Sequence, residues 1–158
     1  MNILVLCTGN SARSILLESI FNTLGKDRVT AFSAGSQPAG KVHPQSIKLL
    51  TELGHDVSGA RSKSWDEFGG PDAPRMDIVI TVCASAAGET CPVWAGAPVR
   101  CHWGVEDPAA AEEPEWDEAF KTAYTILKKR AEALLEVKFE NLELPALTAE
   151  LKRIGELV

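Results

Sequence analysis

Two short runs of unbroken apolar residues, Ile3-Leu4-Val5-Leu6 and Ile78-Val79-Ile80-Thr81-Val82, read as strands covered on both faces, since a strand with one wet face would alternate. Val29-Thr30-Ala31-Phe32 and Val99-Arg100-Cys101-His102-Trp103 are weaker strand candidates. Between these runs the period changes to a helical one. Leu17, Ile20, Phe21 and Leu24 recur at i, i+3, i+4 and i+7, with Gly25 placed to end the helix. A second helix is predicted from Pro44, with Ile47, Leu50 and Leu53 on one face and Gly54 as its stop. After Pro114, the residues Trp116, Phe120, Tyr124, Leu127, Ala131 and Leu134 form a long amphipathic stripe. Gly69-Gly70-Pro71-Asp72-Ala73-Pro74 has the turn chemistry of a surface loop. Leu147, Leu151 and Ile154, between Pro145 and Leu157, are spaced for a terminal helix packed on the domain or on a partner.

Strand and helix therefore alternate, which predicts an α/β fold: a three-layer open sheet of four parallel strands with helices on both faces. Ligands of such sheets bind at the carboxyl ends of the strands. The chain of 158 residues is long enough for one full core, because a globular chain of this length buries roughly 68–70% of its unfolded surface. Its 22 acidic against 16 basic residues, a formal charge of −6, argue against a general nucleic-acid or anionic-membrane binder. A local basic pocket for a small anion is compatible with that balance. No stretch approaches the ~20 apolar residues of a membrane span, and the start lacks a basic region and a signal-like apolar segment. A cytoplasmic address is expected, where the four cysteines are reduced, catalytic or metal-bound rather than a disulfide frame.

The informative segment follows the first strand: Cys7-Thr8-Gly9-Asn10-Ser11-Ala12-Arg13-Ser14, and then the first helix begins. Cys-x5-Arg alone is a weak pattern; its place supplies the specificity. A loop between a buried strand and a helix N-terminus aims several backbone N–H groups at one point, and the helix dipole adds positive charge there. Thr8, Gly9, Asn10, Ser11, Ala12, Arg13 and Ser14 are thus expected to form an oxyanion cradle. Gly9 and Asn10 tolerate left-handed backbone angles. Arg13 adds a planar fork matched to two oxygens of a tetrahedral anion. Cys7, at the bottom, is expected to have a depressed thiol pKa and to act as the nucleophile.

Cys7 to Ser14 resembles the loop of the low-molecular-weight protein tyrosine phosphatase family, and more closely that of the arsenate reductases built on the same fold. Further markers are Phe32-Ser33-Ala34-Gly35, Val42-His43-Pro44, Thr81-Val82-Cys83 and His102-Trp103-Gly104-Val105-Glu106-Asp107-Pro108. They span about residues 2 to 135 and imply a phosphatase-like catalytic domain over 1–136, followed by a C-terminal extension over 137–158. The resemblance assigns Asp107 as the acid that protonates a leaving oxygen. Family members that act on phosphotyrosine generally carry aromatic residues just after this Asp-Pro. Here Ala109-Ala110-Ala111 follows, which favours a small inorganic anion.

Cys83 and Cys91 match positions where the arsenate reductases relay oxidation away from the nucleophile, whereas Cys101 reads as a small apolar filler. The separations of Cys83, Cys91, Cys101 and His102 fit no common zinc pattern, so no metal is expected. Lys63 stands where cation-binding relatives have an acid, so its ammonium is expected to replace a monovalent cation near Asn10, Glu18 and Ser33. His43, His55 and Trp65 read as capping or core residues.

The resemblance implies an arsenate reductase: Cys7 attacks arsenic, Asp107 protonates the departing oxygen, and Cys83 and then Cys91 carry the disulfide outward. Arsenate, phosphate or sulfate would occupy the loop. Thioredoxin, or glutathione with glutaredoxin, would supply the reducing thiols. No tightly bound cofactor is expected, because no Gly-x-Gly-x-x-Gly fingerprint is present. The alternatives are a small phosphomonoester or tyrosine phosphatase using the same Cys7, Arg13 and Asp107, with water completing turnover, and a non-catalytic oxyanion sensor.

Overall fold

The computed structural model describes residues 1–83, 96 and 98–158. Its sheet has four strands, β1 (Asn2–Leu6), β2 (Thr30–Ala34), β3 (Ile78–Thr81) and β4 (Val99–His102), in the order β2-β1-β3-β4 and all parallel. The two continuous apolar runs occupy the centre. Ile3, Leu4, Ile78 and Ile80 are fully buried, as strands flanked by neighbours and helices must be. β2 starts one residue later than the apolar pattern implies and runs on to Ala34, and Trp103 lies just beyond β4.

Helix α1 (Arg13–Leu24) packs on β1 and β2, with Ile15, Leu16, Leu17, Ile20 and Phe21 buried and Gly25 at its end. Leu24, the last position of the expected stripe, is largely exposed. Helix α2 (Pro44–Glu52) begins at the expected proline, but its buried residues are Ser46, Leu49 and Leu50. Leu53 is 50% exposed because it sits on the rim of a groove between α2 and α3 (Trp116–Glu136) rather than under either helix. Gly54 turns the chain with φ +83°, a conformation that favours glycine.

The long stripe forms α3 as predicted, with Phe120, Ala123, Leu127, Ala131 and Leu134 buried against α1 and α2. Helix α4 (Leu144–Ile154) packs on β4 and α3, and its Leu147, Leu151 and Ile154 join the same core as the sheet. A 3-10 turn, Trp65–Phe68, sets Phe68 against Phe32 of β2 at a ring separation of 5.5 Å. Residues 69–74 form an exposed loop, as their turn chemistry implies. No helix among the described residues is long and apolar enough to cross a membrane.

Candidate active site

β1 ends at Leu6, and the next residues turn beneath the N-terminus of α1. The Cys7 N–H donates to Ala34 O at 3.2 Å, which continues the sheet pairing one step and anchors Cys7. Beyond it, the loop turns its carbonyls outward. Thr8 O accepts from Gln37 N–H (3.0 Å), Gly9 O from Ala39 N–H (2.9 Å) and the Ser62 hydroxyl (3.1 Å), and Ser11 O from His43 N–H and the Ser46 hydroxyl (both 3.0 Å). With the carbonyls tied down outside, the amides face the opposite way. Among the described residues, the N–H groups of Asn10, Ser11, Ala12 and Arg13 donate to no protein acceptor. This is the arrangement an anion needs.

Asn10 takes the left-handed backbone that the turn requires, φ 45°, whereas Gly9 does not. Only one of the two residues expected to adopt that conformation does so. Asn10 is fully buried; its side chain donates to Ser14 Oγ at 2.8 Å and accepts from Lys63 N–H at 2.9 Å, so the loop is braced from inside. Gly35, at the end of β2, allows this close approach. A Cβ there would lie 2.3 Å from Thr8 O and 2.5 Å from Cys7 O.

Arg13 opens α1. Its Nη1 donates to Val105 O at 3.0 Å and its Nη2 lies 3.7 Å from Asp107 Oδ2, so the guanidinium joins the cradle to the loop that follows β4. Its Nε is buried with no partner among the described residues. A buried guanidinium N–H left without an acceptor costs free energy unless an incoming group satisfies it. An oxyanion over Cys7 fits that requirement. Asp107 is about half exposed; its Oδ1 accepts from Ala109 N–H at 3.0 Å, capping the short turn Pro108–Ala110.

Cys83 follows β3, the neighbour of β1, and its sulfur accepts from the Thr8 N–H at 3.4 Å. Cys83 and burial push the Cys7 thiol up, while Arg13 and the Gly9 N–H pull it down. That direction is opposite to the one expected from the loop alone. Two neighbouring thiols titrate as a pair, and placing two thiolates there is opposed by like charge and burial. Cys7, Cys83 and Cys101 are not in disulfides. Cys101 is pushed up to about 12 by burial, which suits a filler rather than a reactive thiol. Cys91 lies outside the described residues.

Lys63 is buried, and its ammonium donates to Arg61 O (3.0 Å) and Ser33 Oγ (3.3 Å), with Glu18 Oε2 at 3.9 Å. Burial lowers the Lys63 pKa and raises that of Glu18, while each charge pulls the other back towards its ordinary value. The cation thus lies behind the cradle, on the same residue whose backbone N–H holds Asn10. His43 caps α2 through Nδ1, accepting from Gln45 N–H at 3.0 Å, and its ring meets Trp116 edge-on. His55 bonds Ser19, Thr23 and Tyr124. Among the described residues, no group of three His, Cys, Asp or Glu could hold a metal ion.

The profile of a family described as low molecular weight phosphotyrosine protein phosphatase matches residues 2–148. The chain belongs to that family. It is 34% identical over 134 residues to an arsenate reductase of Halalkalibacterium halodurans, covering 83% of this chain and 92% of that one. It is 30% identical over 133 residues to a glutaredoxin arsenate reductase of Synechocystis, covering 84% of this chain and 95% of that one. A solved structure described as an arsenate reductase in the phosphate binding state superposes with a TM-score of 0.70 at 29% identity, over 85% of this chain and 96% of that chain. The loop from Cys7 to Arg13 lies at the carboxyl edge of the sheet, between the end of β1 and the start of α1.

Proposed function

We propose that this protein reduces arsenate to arsenite, with Cys7 as nucleophile, Arg13 and the amides of residues 9–14 as the oxyanion cradle, and Asp107 as the proton donor; the Thr8 N–H of the expected cradle is taken by Cys83. The observation that carries the reading is the place of Cys83 at the floor of the cradle, where its sulfur accepts from the N–H of Thr8, the residue next to Cys7, at 3.4 Å. A phosphatase has no use for a second thiol there. A reductase needs one within reach.

In the first step Cys7 gives its thiol proton to the bound arsenate and attacks arsenic, and an arsenate hydroxyl departs, protonated by Asp107, as water. Arsenic stays in oxidation state five, bonded to sulfur. Cys83 then attacks the Cys7 sulfur, the sulfur–arsenic electron pair remains on arsenic, and arsenite leaves. The two thiols supply the two electrons and become the Cys7–Cys83 disulfide. Arg13, whose Nε faces no protein acceptor, holds the charge of the anion through the displacement. Cys91 is assigned the next exchange, carrying the disulfide to an external dithiol of the thioredoxin or glutaredoxin class. The similarity to a glutaredoxin arsenate reductase supports a thiol reductant of this kind. A cytoplasmic setting, where such reductants keep thiols reduced, completes the reading.

The alanines after Pro108 support a small anion over an aryl phosphate, since they offer no ring to stack on a phenol. The test is arsenate-dependent NADPH oxidation with the thioredoxin system and the glutathione–glutaredoxin system supplied separately. Turnover with either supports the reductase. Arsenate-independent hydrolysis of aryl phosphates with no NADPH oxidation in either system would establish the phosphatase instead.

A further inference from the structure

The loop that carries Asp107 is held from two sides by two different guanidiniums. From the cradle, Arg13 Nη1 donates to Val105 O at 3.0 Å; from α3, Arg130 Nη1 donates to Gly104 O at 3.1 Å. Consecutive carbonyls are thus pinned in opposite directions, which fixes the peptide between them and the path of the chain toward Asp107. Arg130 is only 3% exposed, and its Nε donates to Leu157 O at 2.9 Å, beyond α4. Among the described residues it pairs with no carboxylate. A guanidinium buried for its charge would have one; this one is spent on two backbone carbonyls.

The same C-terminal residues grip the base of the loop. Trp103, fully buried, donates its indole N–H to Leu151 O at 2.9 Å. Gly155 lets the end of α4 come flush, since a Cβ there would lie 2.8 Å from Trp103 Cδ1 and 3.0 Å from His102 O. The solved relative is covered over 96% of its length by 85% of this chain, so this chain has length which that relative lacks.

We propose that Arg130, together with the residues after α4, is a positioning residue for Asp107: a brace running from the C-terminal segment through Gly104 to the acid. It rests on the reading of Asp107 as the proton donor. Arg130 touches neither the anion nor Cys7. It acts by keeping the 103–107 loop in the register that sets Asp107 beside Arg13, 3.7 Å away. Loss of the brace should slow the protonation step and leave the cradle, whose amides belong to residues 9–14, nearly unchanged.

The test compares Arg130→Met and Arg130→Lys, each alone and with Asp107→Asn. Two quantities are read: affinity for inorganic phosphate by calorimetry, and the single-turnover rate at which saturating arsenate consumes the Cys7 and Cys83 thiols. General acid catalysis is worth ~10²–10⁴ in rate, so partial misplacement in R130M should cost about tenfold, with phosphate affinity within about twofold of wild type. R130K, which keeps a donor, should recover part of the rate. In the D107N background R130M should cost less than about twofold, because the group it positions is already gone. Gly155→Ala, which presses on Trp103 from the other side, should repeat the R130M pattern and carries the same comparison if R130M does not fold. Equal slowing by R130M or G155A in both backgrounds, or phosphate affinity falling in step with rate, would overturn the brace. A wild-type rate in D107N alone would overturn the acid assignment and the brace with it; the two failures are therefore read in different variants.

Discussion

Gly35→Ala perturbs the nucleophile loop without touching any group assigned to chemistry. The added methyl would stand 2.3 Å from Thr8 O, 2.5 Å from Cys7 O and 2.9 Å from Thr8 C, all backbone atoms that cannot rotate away. Gly35 cannot retreat either. Its N–H donates to Lys63 O at 3.0 Å and its carbonyl accepts from Trp65 N–H at 2.9 Å. Restoring ordinary contact from 2.3 Å requires roughly 1 Å of movement, and the cradle, whose amides donate to no protein acceptor among the described residues, takes it up at the least cost in hydrogen bonds. Overpacking of this kind costs about 1–3 kcal/mol of stability, while a misplacement of about 1 Å at a reacting group costs on the order of 10²-fold in rate. Urea unfolding measures the first quantity; single-turnover consumption of thiols by arsenate, with calorimetric binding of phosphate, measures the second. G35A should remain folded yet lose phosphate affinity and about two orders of magnitude in rate. A variant with wild-type rate and affinity would refute the packing argument, whatever its stability.

Lys63→Met removes the cation 3.9 Å from partly buried Glu18; breaking a fully buried pair typically costs ~3–5 kcal/mol, and the partial exposure of Glu18 puts this one at or below the low end. Thermal unfolding should be indifferent to exchanging potassium for sodium in the wild type and should become potassium-sensitive in the variant; a wild type stabilised by potassium would contradict the role given to the ammonium. Cys83→Ala takes away the largest cause of the raised Cys7 thiol, so the pH at which Cys7 alkylation reaches half its limiting rate should move down. An unchanged or higher midpoint would show that burial alone sets it.

Much of this was legible in the chain. Continuous apolar runs mark β1 and β3 because both faces of a central parallel strand are covered, and Cys7 to Arg13 reads as an anion loop because strand, turn residues and helix start coincide. Periodicity fails where coverage ends. It puts Leu24 and Leu53 on apolar stripes, but both lie at helix ends where the neighbouring element no longer reaches them. It is silent on contacts between distant segments. Cys83, just beyond β3, pushes the Cys7 thiol up, a direction opposite to the one the loop alone implies. Gly35 was visible as a residue of the family pattern, but its reason, the approach of two backbones, exists only in three dimensions. Arg130 gives no signal of its own in the sequence; its burial against the carbonyls of Gly104 and Leu157 depends on where α4 docks.

The central claim is that Cys83 completes the reduction begun by Cys7, and one exposure of the reduced protein to arsenate, followed by acid quenching and mass-spectrometric mapping of thiols, tests it directly. Without an external reductant the wild type should release about one arsenite per chain, since each two-electron reduction consumes one thiol pair. The trapped product should contain a Cys7–Cys83 bond, or a bond from Cys83 to Cys91 if the relay has advanced. Cys83→Ser should release no arsenite under the same conditions. Stoichiometric arsenite from that variant, or a wild-type product in which Cys83 remains a thiol throughout, would contradict the account.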